Sequence, residues 1–138
     1  MKPSCKLEEG NLLTLDWDKL AKASVCPGMI PVVVQHAGTR EVLLLAYTNE
    51  IAFRKSVQSR TLVLWSTSRN ELWEKGKTSG ETFELLDVRV NCEQNSLLYL
   101  VRPKRGGICH TRNRDGSPRN CFYRRLNLET GDLENLDF

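Results

Sequence analysis

Apolar positions recur along this chain in short alternating or continuous runs broken by polar clusters, and only twice with the spacing of a helix. The first helical stretch is residues 16–24, where Asp16 stands as an acidic cap ahead of Trp17, Leu20, Ala21 and Ser24. It should stop before Cys26-Pro27-Gly28. Residues 30–35 and 41–47 are β-branched or Leu-rich and are joined by His36-Ala37-Gly38-Thr39-Arg40, which predicts a β-hairpin with Gly38 supplying a positive φ. His36, in that turn, reads as an ordinary surface histidine. Thr48 or Asn49 can cap a second helix carrying Ile51, Ala52, Phe53 and Val57, and residues 61–66, with Leu62, Leu64 and Trp65, predict another strand.

Residues 69–80 hold Gly76, Ser79 and Gly80 among charges, with Leu72 and Trp73 as the large apolar groups, and predict a loop. Residues 82–92 alternate: Leu86, Val88, Val90 and Cys92 share one face of the expected strand, Asp87, Arg89 and Asn91 the other. The apolar run 97–101 follows so closely that Cys92-Glu93-Gln94-Asn95 should form the turn of a hairpin, with Cys92 at its tip. A last strand is expected over 121–128, while the acidic tail 129–138 carries no clear signal.

Composition narrows the class without naming a function. A chain of 138 residues, 40% apolar, with no internal repeat or composition shift, suits a single domain over 1–138. No apolar run approaches the roughly 20 residues that span a bilayer, and the start of the chain lacks the apolar core of a secretory signal, so a soluble cytoplasmic protein is expected. A net charge of +3 is ordinary and gives no argument for nucleic acid or anionic membranes. Base-stacking aromatics are also sparse beside the basic stretch that follows residue 101, which disfavours a nucleic-acid module.

Five cysteines, an odd number, read as thiols that are buried, catalytic or metal-bound rather than as a disulfide framework. Cys92, Cys109-His110 and Cys121 all fall at expected strand ends or loops, where thiolates and an imidazole could converge on zinc. Three protein ligands with one open position would make such a zinc catalytic, whereas a fourth ligand, His110 or a partner residue, would make it structural. Buried reduced thiols are the competing reading, and Cys5 and Cys26, without ligand-type neighbours, are assigned to it. Two groups could receive phosphate: the cluster of Arg102, Lys104, Arg105, Arg112, Arg114, Arg119, Arg124 and Arg125, whose alternative is a solvated rim, and Lys75, Lys77, Thr78, Ser79 and Gly80.

The blocks Gly28-Met29-Ile30-Pro31-Val32-Val33-Val34-Gln35, Glu41 to Glu50, Leu64-Trp65-Ser66-Thr67-Ser68-Arg69, Trp73-Glu74-Lys75-Gly76-Lys77-Thr78-Ser79-Gly80, Gly107-Ile108-Cys109-His110-Thr111 and Cys121-Phe122-Tyr123-Arg124 occur in order over about 28–124. In this order they resemble the phosphoribosyl-AMP cyclohydrolase family. The resemblance implies an α+β fold with antiparallel-rich sheets and short helices, an intertwined homodimer, and a zinc shared between chains by Cys92 of one and Cys109 and Cys121 of the other. It further implies hydrolytic opening of the adenine ring of phosphoribosyl-AMP between N1 and C6, in histidine biosynthesis. Zinc would acidify the attacking water, and His110 would transfer the proton or else orient its loop. Trp73, Lys75, Lys77, Thr78, Ser79, Gly80 and Arg124 would bind the substrate.

Two departures from the family stand out. Where it usually carries three carboxylates that bind magnesium, this chain has Asn91, Glu93 and Asn95, so a magnesium site there is degenerate. Between Cys109 and Cys121, residues 112–120 make a longer connection than the family's short loop, which a flexible chain tolerates at about 0.6 kcal/mol per doubling of length. The lost carboxylates motivate an alternative, a non-catalytic zinc-binding or regulatory protein on the same scaffold.

Overall fold

A computed structural model describes residues 6–26, 28–76, 82–104, 112–117 and 119–136. Its centre is the expected hairpin, β1 (Ile30–His36) and β2 (Val42–Thr48), antiparallel with Val32 opposite Ala46 and Val33 opposite Leu45. The β-branched content of β1 suits a pleated, packed surface, and Val32 and Val34 on its inner face are fully buried. Four further strands complete a six-stranded sheet: β3 (Val63–Ser66), β4 (Glu71–Glu74), β5 (Phe83–Val90) and β6 (Leu97–Pro103), in the order β4-β3-β2-β1-β6-β5. All its pairings are antiparallel except β1 with β6, which run parallel with Val34 beside Tyr99.

The sheet curls on itself. The segment leading into β3 meets β5 through Leu62 N–H to the Phe83 carbonyl and Leu85 N–H to the Arg60 carbonyl, both 2.9 Å. Inside lie Val32, Val34, Leu43, Leu62, Leu64, Phe83, Leu85, Tyr99 and Val101. Helix α3 (Glu50–Ser59) packs beside β3 and β2, with Ala52 buried and Phe53 against the core. Of the two candidate caps, Asn49 is the one used: its side chain accepts the Ala52 N–H at 2.9 Å. The apolar stripe is narrower than expected, since Ile51 is exposed and buried Ser56 takes an inward position, donating to the Thr61 carbonyl and accepting the Val63 N–H.

Several local expectations are corrected. The helix over 16–24 shortens to α2 (Lys19–Ala23): the Asp16 carboxylate accepts the Asp18 N–H at 3.1 Å, as a cap would, but residues 17–18 form a turn and Asp18 itself stands at the N-cap. Its intended apolar face is exposed at Trp17 and Leu20, and only Ala23 is buried. In the β1–β2 turn the left-handed residue is Arg40, with φ 66°, not Gly38. His36 is half-buried, and its Nδ1 accepts the N–H groups of Gly38 (2.9 Å) and Thr39 (3.1 Å), so it staples the turn. A Cβ at Gly38 would lie 3.2 Å from the His36 ring, which accounts for glycine there.

Residues 69–80, expected as a loop, contain the edge strand β4. Asn70, at φ 53°, closes a tight turn after β3 and accepts the Trp65 indole N–H at 3.0 Å, while Leu72 and Trp73 pair opposite Trp65 and Leu64. Charges at Glu71 and Glu74 hide this alternation, as edge strands often do. In β5 a bulge between Leu85 and Asp87 places Phe83, Leu85 and Val88 toward the core and leaves Leu86 exposed, displacing the expected face. The expected strand over 121–128 reduces to β7 (Arg124–Leu126), which pairs with β8 (Leu133–Asn135) inside the tail that carried no signal. Near the start of the described chain, the short helix α1 (Lys6–Glu9) lies against this C-terminal hairpin's approach, with Tyr123 Oη donating to the Glu8 carbonyl at 2.7 Å.

Candidate functional site

The hairpin tip between β5 and β6 carries Cys92, exposed as expected, in a turn where Gln94 adopts φ 56°. Asn91 Oδ1 accepts the N–H groups of Asn95 and Ser96, both at 2.9 Å, which fixes that atom as the oxygen. Its Nδ2 then donates to Asn95 Oδ1 at 2.7 Å, and Asn95 Nδ2 reaches Glu93 Oε2 at 3.3 Å. Both lone pairs of Asn91 Oδ1 are thus spent on N–H donors, and one carboxylate stands where a hard cation wants several anionic oxygens. These three residues do not fit magnesium; amide hydrogens do the cross-linking that a cation would do. Among the described residues, no cluster of three His, Cys, Asp or Glu side chains is poised for a metal.

Cys121 is a half-buried thiol outside any disulfide, packed beside the core, and its N–H donates to the Leu43 carbonyl at 3.0 Å. That bond places it at the end of the sheet where β2 begins. Cys92 lies beyond the Val90–Leu97 pair, past the opposite end, where Leu97 neighbours Val32. At about 3.3 Å per strand residue, the four to five residues between these two levels separate the positions by on the order of 15 Å along the strands alone. Two thiolates on one zinc, each about 2.3 Å from it, cannot span that gap. Cys109 and His110 lie outside the described residues, as do Cys5, Lys77, Thr78, Ser79, Gly80 and Arg105. Cys26 is buried, as assigned, with its thiol 3.6 Å from the Thr67 carbonyl.

Trp73, half-buried on β4, lines a cleft of about 520 Å³ with Trp65, Tyr47, Lys19 and Arg69. Lys75 follows it, its N–H on the Leu62 carbonyl and its ammonium 5.7 Å from the Phe83 ring centre. Arg124 donates to the carbonyls of Gly10 (3.1 Å) and Leu7 (2.7 Å), so its guanidinium ties down the N-terminal segment. Others of the basic cluster are also engaged: Arg102 with Glu84 at 2.8 Å, Arg125 with Glu134 at 3.4 Å, and buried Arg119 with Glu9 at 2.6 Å. The sequence gives no sign that Arg119 joins Tyr123 and Glu9, because nothing in composition distinguishes a buried arginine from its solvated neighbours.

Two ionisations are displaced. Burial pushes the Tyr99 phenol up to about 12; Thr48 opposes this weakly, without the geometry of a hydrogen bond. Asp115, exposed in the long loop, is held below its ordinary value by the Ser117 hydroxyl and N–H.

Fold and site together define an α+β protein with a curled sheet that carries cysteines outside any disulfide at a hairpin tip and beside the core. A family model described as phosphoribosyl-AMP cyclohydrolase matches residues 44–123. Among curated proteins, the phosphoribosyl-AMP cyclohydrolase of Archaeoglobus fulgidus is 46% identical over 99 residues, covering 72% of this chain and 86% of its own. That of Methanosarcina barkeri is 42% identical over 115 residues, covering 83% and 82%. The histidine biosynthesis bifunctional protein HisIE of Aquifex aeolicus is 40% identical over 99 residues, covering 72% of this chain and 46% of its own. The chain belongs to the phosphoribosyl-AMP cyclohydrolase family. No described helix is long and apolar enough to cross a membrane.

Proposed function

We propose that this protein hydrolyses the N1–C6 bond of the adenine ring in phosphoribosyl-AMP, as an enzyme of histidine biosynthesis, at a zinc site assembled across a homodimer. Membership of the family supports the reaction, and the observation that carries the shared site is the placement of Cys92 and Cys121 at opposite ends of one sheet. A second copy is the economical way to bring a hairpin tip to a core-side cysteine, because a two-fold axis pairs each patch with its counterpart.

Cys92, Cys109 and Cys121 fit zinc by the chemistry of their donors, thiolates being among its preferred ligands. When bound, zinc supplies a Lewis acid that makes hydroxide available near neutral pH. The remaining work falls to the chain. Cys92 is presented by the Asn91 clasp, and Cys121 by its backbone bond to Leu43. His110 is the group that moves a proton to the departing N1, since an imidazole titrates in the working range. Trp73, Lys75, Lys77, Thr78, Ser79 and Gly80 receive the nucleotide, the ammonium groups and loop N–H donors matching phosphate. Arg124 contributes by holding Leu7 and Gly10 beside Cys121. No magnesium takes part at Asn91, Glu93 and Asn95.

The test is ring opening of phosphoribosyl-AMP by purified protein of measured metal content. Turnover that tracks zinc and is lost in His110→Ala with zinc retained is expected; a zinc-loaded protein with no turnover would leave the binding-module reading in its place.

A further inference from the structure

The Cys121 segment is fastened to a part of the chain that lies outside the family-matched residues 44–123. Arg119, two residues before Cys121, is a charged side chain only 4% exposed. Such burial is costly unless the charge is paired, and Glu9 of α1 pairs it at 2.6 Å. The Arg119 guanidinium also lies over the Tyr123 ring, 3.4 Å from its centre, so the residues flanking Cys121 are stacked on one another. Tyr123 Oη and Arg124 then bond to the carbonyls of Glu8, Gly10 and Leu7. Beside them Cys121 and Arg124 open on a cavity of about 210 Å³ whose other wall is Leu7, Leu12, Leu13 and Leu15.

We infer that Arg119 is a positioning residue for the Cys121 ligand segment, and that residues 7–15 form a clamp which holds that segment and walls its cavity. At the end of the long connection, Arg119 therefore sets a buried cation beside the approach to Cys121. Two fasteners act on that approach from different directions, Glu9 on Arg119 and the Leu43 carbonyl on the Cys121 N–H. A lysine could replace the arginine only in part, because only a planar guanidinium can stack on Tyr123 while presenting an N–H edge to Glu9.

The inference rests on the zinc reading for its consequence in function, so its test has one arm that does not. In metal-free protein the alkylation rates of Cys121, Cys92 and Cys26 are followed by peptide mass spectrometry in the unmodified chain and in Arg119→Met, Arg119→Lys, Glu9→Gln and Tyr123→Phe. Arg119→Met should speed Cys121 by about tenfold, because the buried guanidinium's charge-assisted bond to Glu9 and its stack on Tyr123 are both lost, with Cys92 and Cys26 unchanged. Arg119→Lys, keeping the charge but not the stack, should fall between. In the second arm, competition with a chelator should show zinc held about 10-fold to 100-fold more weakly in Arg119→Met, and more nearly as in the unmodified chain in Arg119→Lys. Unchanged Cys121 reactivity in Arg119→Met overturns the clamp. If Arg119→Met also exposes Cys26, the fold itself has loosened, and Glu9→Gln decides: a selective rise at Cys121 sustains the clamp and none overturns it. If the unmodified chain binds no zinc, the proposed function fails, while the alkylation rates still decide for or against the clamp.

Discussion

Asn91 shows how one side chain can replace a bound ion: its oxygen takes two backbone N–H groups and its nitrogen links to Asn95, so the tip is cross-linked without charge. The unmodified protein should give no calorimetric signal with millimolar magnesium. Asn91→Asp combined with Glu93→Asp and Asn95→Asp should create one, since three carboxylates repel until a cation neutralises them. Strong magnesium activation of the unmodified protein would place the ion on other ligands. Tyr99 gives a second residue-scale expectation. Its folded ionisation is raised to about 12, above the ordinary 10.0, so above pH 10 the unfolded chain binds fewer protons than the folded one. Stability is therefore full below pH 10 and falls as pH rises toward 12, and Tyr99→Phe should flatten that fall in urea titrations. In the core, Leu64→Ala should cost about 2–5 kcal/mol by the same measurement, the side chain being fully buried.

At the scale of elements, α3 depends on the Asn49 cap, and Asn49→Ala should cost about 1 kcal/mol in chemical denaturation without loss of the fold. The central hairpin and the β5–β6 tip were legible because period-two alternation and turn residues agree there. Elements were missed where a local device overrode the pattern. The bulge in β5 brought Leu85 to the inner face in place of Leu86 while Val88 kept its expected side, and bulges leave no mark in apolar periodicity. Strand β4 hid behind edge charges, and β8 behind an acidic tail whose turn is set by Asn127 and by Gly131 at φ 77°. Helix α2 shortened because residues 17–18 turn ahead of it and Asp18 takes the N-cap. The site divides the same way. That Cys92 stands at a hairpin tip was legible from residue type and position, whereas the Asn91 clasp and the burial of Arg119 became visible only with three-dimensional neighbours.

For the whole molecule, the decisive quantity is the separation of Cys92 from Cys121 along one sheet, which under the proposed shared site would make assembly a condition of chemistry. The homodimer should carry about one zinc per chain, and metal removal should weaken it, because ligands from two chains tie folding and association to the same ion. The most direct measurement co-expresses Cys92→Ala and Cys121→Ala chains and assays ring opening of phosphoribosyl-AMP. Each variant alone should be inactive, since both sites of its dimer lack a ligand. The mixture should recover about a quarter of the unmodified activity, because random pairing gives half mixed dimers with one intact site each. A mixture as inactive as either parent, with mixed dimers present and zinc supplied, would contradict a site shared between chains.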